Sequence, residues 1–170
     1  IRDHETAEIA IESALTGHMV FSTLHTNDAA GAITRLEDMG VEGYLISSSL
    51  LAVQAQRLVR RVCTDCANTV ALTVDEANVL EIEISDCPEV TRGTGCETCG
   101  QTGYRGRVGL YELLLMSDAI RHHIASGADA NVIRKQAREE GMRTLREDAL
   151  ENLRAGLTTP EEVVRVTRAL

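Results

Sequence analysis

Apolar residues first recur at Ala7, Ala10, Ile11, Ala14 and Leu15, three and four positions apart, which predicts a helix over 5–15 with one buried stripe. Gly17 follows where a left-handed cap commonly ends such a helix. The run from His18 to Leu24 is mostly apolar without alternation, the pattern of a strand covered on both faces in a parallel sheet. Thr26 or Asn27 is the expected cap of a helix carrying Ile33, Leu36 and Met39, which Gly40 ends. A further helix is expected from about Gly43 to Gln54. The order helix, strand, helix is that of an α/β fold.

Arg57 to Val62 and Arg107 to Leu115 read as strands that return to one sheet, making residues 63 to about 104 an excursion from it. From Ser117 onward the spacing turns helical. Ile120 and Ile124 lie four apart, Asp129 can cap a helix carrying Val132, Ile133 and Ala137, and Leu145, Ala149, Leu150 and Leu153 form another stripe. Thr159 as N-cap, Pro160 at the first helical position and Glu162 three residues beyond the cap predict a final helix closed by a capping box.

Four of the five cysteines fall in two CxxC pairs, Cys63 with Cys66 and Cys96 with Cys99. Two residues between thiolates let both reach one tetrahedral ion, and two such turns complete four-sulfur coordination. A filled sulfur shell leaves no position for water, so a structural zinc site is expected, with free thiols or a redox pair as the alternative. The intervening loop is acidic (Asp75, Glu76, Glu81, Glu83, Asp86, Glu89), and with little apolar material it is expected to depend on the ion. Cys87 has no partner at ligand spacing and reads as a buried or incidental thiol.

Composition narrows the function classes. The formal net charge is −9 and aromatic residues are 2% of the chain, which deny a nucleic-acid binder both phosphate attraction and base stacking. The most apolar stretch, around Tyr44 to Val53, is interrupted by serines and too short to span a bilayer, so no membrane insertion is expected. Lys135 is the sole lysine. The chain opens at Ile1 directly into a polar run, which reads as a piece of something longer.

His18 and His25 stand at the two ends of the expected first strand, in Thr16-Gly17-His18-Met19-Val20-Phe21-Ser22-Thr23-Leu24-His25-Thr26-Asn27-Asp28. Taken alone, each histidine reads as structural. In context, Ile1-Arg2-Asp3 followed by Glu5-Thr6 precedes this run, and Arg57-Leu58-Val59-Arg60-Arg61-Val62-Cys63 follows it. Together these segments closely resemble the type II secretion and type IV pilus assembly ATPase family. The IRDxET run resembles the sequence after that family's Walker B glutamate, and TGHMVFSTLHTNDA its histidine box. RLVRRVCTDC and GCETCGQTGYRGRVGLYELL resemble its tetracysteine segment and the return to the nucleotide domain, and GLTTPEEV its C-terminal helices. The four cysteines set the chain apart from the related pilus-retraction motors, which generally lack them.

The resemblance implies the C-terminal part of a RecA-like P-loop ATPase domain (1–62), an inserted zinc module (63–104), a return strand (105–116) and a C-terminal helical subdomain (117–170). It further implies a homohexamer that hydrolyses ATP with Mg at the cytoplasmic side of the inner membrane, driving pilin-like subunits with the help of a membrane platform. His18 and His25 would sense the nucleotide, and Arg2 and Asp3 would organise the edge of its site, with a surface ion pair as the alternative for the latter two. Among these 170 residues there is no GxxxxGK[ST] phosphate loop, since the sole lysine sits in Arg134-Lys135-Gln136. The expectation is therefore a sensing half of an ATP site, inactive alone. A self-standing docking domain and a metalloenzyme are the rival classes, the latter disfavoured by a closed sulfur shell. His122 and His123, on an expected exposed helix, receive no role.

Overall fold

The structure, a computed structural model, describes residues 1–167; the last residues of the expected helical subdomain, 168–170, lie outside the described residues. The helices are α1 (His4–Leu15), α2 (Ala29–Asp38), α3 (Gly43–Ser49), α4 (Val74–Leu80), α5 (Asp118–Ala125), α6 (Ala130–Glu139), α7 (Leu145–Arg154) and α8 (Pro160–Thr167). The strands are β1 (Ala52–Val62), β2 (Ala67–Ala71), β3 (Glu89–Gly93) and β4 (Tyr104–Leu115). As expected, β1 and β4 share a sheet; β2 and β3 form a second, antiparallel one, in register from Ala67 opposite Gly93 to Ala71 opposite Glu89.

Two compact units result, Ile1–Ala55 with Glu112–Thr144, and Gln56–Tyr111 with Leu145–Leu170. The chain passes between them within β1 and within β4, so the helices after Ser117 divide, α5 and α6 with the first unit, α7 and α8 with the second.

In the first unit α3 packs on α5, α2 on α6, and α5 on α6, around Ile33, Ile46, Ile120, Ile124 and Ile133. With a single phenylalanine in the chain, branched aliphatics fill this core. Arg121 donates to the carbonyls of Ser47 and, at 3.0 Å, Leu50, satisfying acceptors that the end of α3 leaves open. That helix stops at Ser49, earlier than the sequence suggests, because the chain is already extended from Ala52. Three successive serines compete with helix through their hydroxyls, and here they bond back to Tyr44 and Leu45.

Residues 18–24 form no strand. An apolar run becomes a strand only where a neighbour completes its ladder, and no strand among the described residues pairs with it. Its side chains face outward, Phe21 at 91% exposure. The cap of α2 is likewise corrected: Asp28, rather than Thr26 or Asn27, accepts from the Gly31 amide at 2.7 Å.

In the second unit Val59, Leu80, Leu110, Leu145, Leu153 and Val163 are buried together with Leu72, Ala77 and Val90 of the acidic excursion. That excursion therefore has apolar material of its own, contrary to the expectation that it has little. A capping box between Thr73 and Glu76 starts α4. At the other end of α4, Arg146 of α7 donates to the Leu80 carbonyl at 2.9 Å and pairs with Glu81 at 3.2 Å. Arg92 on β3 pairs with both Glu76 and Glu161. Glu162 does not close a capping box either: its fully buried carboxylate binds Arg60 and Arg165.

Candidate functional site

Cys63, itself buried, directly follows β1, and the single turn Thr64–Cys66 brings Cys66 beside it. The turn Glu97–Cys99 does the same for Cys96 and Cys99. All four Sγ atoms lie within 4.8 Å of one another. Cys63 and Cys96 are 3.9 Å apart, Cys66 and Cys99 3.9 Å, and Cys96 and Cys99 3.7 Å. Metal–sulfur bonds of about 2.3 Å in a tetrahedron require edges of about 3.8 Å, so the four thiols fit one ion. No fifth donor is needed, and none of the four positions is left for substrate.

Backbone amides complete the cage. The Cys96 and Gly103 amides donate to the Cys99 sulfur at 3.2 and 3.3 Å. Burial works against ionising Cys99, but these two amides and the neighbouring thiols outweigh it and hold the group down to about 6. Burial pushes Cys66 up to about 11, with the surrounding thiols adding to it.

Gly103 serves both halves of the cage. Its carbonyl accepts from the Cys63 amide at 2.9 Å while its own amide reaches Cys99. Its φ is +75°, and a Cβ there would lie 2.5 Å from the Gly93 carbonyl oxygen, so no larger residue fits without displacing backbone. Cys87 is buried apart from the cage and donates to the Glu89 carbonyl at 3.4 Å; burial pushes its thiol up.

The histidine-bearing segment lies in the other unit. Gly17, at φ +96°, ends α1 with the paired bonds Gly17 N–H to Ala14 and His18 N–H to Ser13, a Schellman cap. His18 is thereby part of the helix ending, and its Nδ1 lies 3.2 Å from both the Ser13 carbonyl and the Thr16 hydroxyl. His25 is exposed. The Ile1 backbone nitrogen donates to the Thr23 carbonyl at 2.7 Å, bringing the IRD run alongside the segment that leads to His25.

Asp3 caps α1, accepting from the Thr6 amide and hydroxyl at 2.9 Å each, and these bonds hold its carboxyl below the ordinary range. Arg2 is exposed. Three residues beyond His25, Asp28 is nearly buried and pairs with Arg134 of α6, while buried Glu112 of β4 accepts from the Ala29 amide at 2.8 Å. Neither Glu112 nor Arg134 was singled out by pattern. The available signal was an acid between the apolar Leu110 and Leu114 on a strand's inner face.

Comparison with known proteins accords with this arrangement. The family described as Type II/IV secretion system protein matches residues 1–165. The Type IV pilus assembly ATPase PilB of Thermus thermophilus is 52% identical over 170 residues, 98% of this chain and 19% of that protein. The Type II secretion system ATPase E of Vibrio cholerae is 48% identical over 168 residues, 99% of this chain and 33% of that protein. The crystal structure of the pilus retraction motor PilT with bound ADP matches the whole chain with a TM-score of 0.65 at 25% identity, this chain covering 39% of it.

The fold is thus the mixed helix and sheet arrangement found in a pilus motor ATPase, with four thiols that can hold a metal. The chain belongs to the Type II/IV secretion system protein family. It spans 19% and 33% of the length of the two relatives named.

Proposed function

We propose that these residues form the C-terminal portion of a hexameric motor ATPase that powers type II secretion or type IV pilus assembly. The observation that carries the reading is end-to-end identity of 52% and 48% with a pilus assembly ATPase and a secretion ATPase, against 25% with a retraction motor. The four thiols would hold one structural zinc, because soft sulfur donors in a closed tetrahedron suit that ion. ATP and Mg would be gripped by residues outside these 170, which contain no GxxxxGK[ST] run.

In the assembled motor, His25 and, at the far end of the same segment, His18 would respond to the terminal phosphate, with Arg2 and Asp3 at the adjoining edge. Catalysis of phosphoryl transfer rests on positioning and charge stabilisation, so groups of this kind act by where they are held. Work would be passed to pilin-like subunits through an inner-membrane platform, from the cytoplasmic side. No helix among the described residues is long and apolar enough to cross a membrane, which fits a peripheral engine.

The test compares the product of the full reading frame with the 170-residue chain. The former hydrolyses ATP and loses roughly tenfold or more in kcat on His25→Ala; the latter shows no turnover. ATP hydrolysis by the short chain, abolished by His25→Ala, overturns the assignment.

A further inference from the structure

Resting on the reading above, we infer that Arg134, Asp28 and Glu112 form a linkage that positions the His25 segment from α6 and β4. The geometry is specific. Asp28 uses one carboxylate oxygen to cap α2 at Gly31 and the other to bind the Arg134 guanidinium. Glu112 takes the adjacent Ala29 amide. Two carboxylates, one from the cap residue and one from a strand, thus meet the N-terminus of one helix, where the macrodipole favours negative charge.

Ala29, Ala30 and Ala32 behind them are 0%, 0% and 2% exposed, so this end of α2 has no room to shift independently. His25 itself is exposed and separated from this fixed point only by Thr26 and Asn27. A helix end anchored at three charged groups, with a solvent-facing histidine three residues upstream, fixes the C-terminal side of the segment that carries that side chain. Asp28 and Arg134 are 106 residues apart in sequence, so the anchor also ties the segment to a helix that the chain reaches much later. Movement of α6 would reach His25 by this route, and nucleotide sensed at His25 would reach α6 by the same one, since coupling is reciprocal. Arg134 is a positioning residue in this scheme, acting through Asp28 and away from the phosphate.

The experiment uses the full-length protein. Arg134→Ala lowers kcat for ATP about three- to thirtyfold, the range found for coupling residues remote from a ligand. KM for ATP changes less than about twofold, the signature of an interaction that matters in the transition state. Arg134→Lys, which keeps the charge, restores at least about half of the rate, and in an Asp28→Asn background Arg134→Ala has no further effect, as expected for partners in one interaction. An active wild type whose kcat is unmoved by Arg134→Ala overturns the linkage alone. So does an Arg134→Ala loss that is undiminished in the Asp28→Asn background, or one accompanied by an equal rise in KM. A full-length wild type without ATPase activity overturns the motor reading, and the linkage with it.

Discussion

Arg60 and Glu162 hold each other at three points although 102 residues separate them: the Arg60 amide at 2.7 Å, its Nε at 2.9 Å and a terminal nitrogen at 2.9 Å. Arg165 closes the other side of the carboxylate at 2.7 Å. The Arg60 guanidinium lies 4.0 Å over the Tyr104 ring, whose hydroxyl meets that of Thr159 at 2.9 Å. The last helix is thereby fastened to the strand that delivers Cys63. A buried charge keeps its place only while its partners remain.

Glu162→Gln leaves two half-exposed guanidinium groups facing a neutral amide and is expected to destabilise the fold by about 2–3 kcal/mol, the worth of hydrogen bonds to a charged group. Urea denaturation followed by circular dichroism measures this. A change under about 1 kcal/mol would show that the carboxylate is dispensable.

Acid should act on the same residue. Burial by itself raises the Glu162 carboxyl, but hydrogen bonds from Arg165 and from the Arg60 amide and side chain overcome it and hold the group at about 2, below its usual 4.5. A lowered folded value means stability present above about pH 4.5 and lost as pH falls towards 2, on the order of 3 kcal/mol in all. Stability of the wild type therefore declines more steeply across this window than that of Glu162→Gln; parallel declines would place the acid sensitivity elsewhere.

Metal content should be about one zinc per chain, and chelation should loosen the cysteine turns first. Amides at 63–66 and 96–103 are expected to exchange faster in the stripped protein, while those of β2 and β3 stay protected. Leu72, Leu80 and Val90 are buried, and Arg92 and Arg146 tie this excursion to α8 and α7. Uniform loss of protection from 64 to 103 on chelation would restore the picture of a loop dependent on the ion.

Gly103→Ala places a methyl group against the Gly93 carbonyl at a backbone angle of +75°. A loss of more than about 1 kcal/mol is expected, together with faster zinc release to a competing chelator. Unchanged release kinetics would separate the glycine from the cage.

Local features were legible in the sequence because their physics is local. The stripe of Ala7 and Ile11, the Asp129 cap and the paired CxxC turns each depend on residues a turn apart, and each stands where it was expected. The shared sheet of β1 and β4 was also readable from two apolar runs flanking the cysteines. The capping-box pattern at Glu162 is satisfied by spacing alone, whereas Arg60 and Arg165, one of them 102 residues away, take up its buried carboxylate instead. Asp28 was passed over for Thr26 and Asn27 because all three types cap well, and only contact with Arg134 and the first turn of α2 decides among them. The 18–24 run fails for a related reason: a strand is a property of two segments, and periodicity reports on one.

The arginine pairings leave the one lysine with a quite different prospect. Lys135 sits on α6 with its side chain 80% exposed, 4.0 Å from Glu139 and directly after Arg134. An amine-reactive fluorophore therefore has a single side-chain target in these 170 residues, and the dye would ride on the helix whose displacement is of interest. Amine-directed cross-linkers, by the same token, can join this lysine to lysines elsewhere but cannot bridge two lysines among these 170 residues.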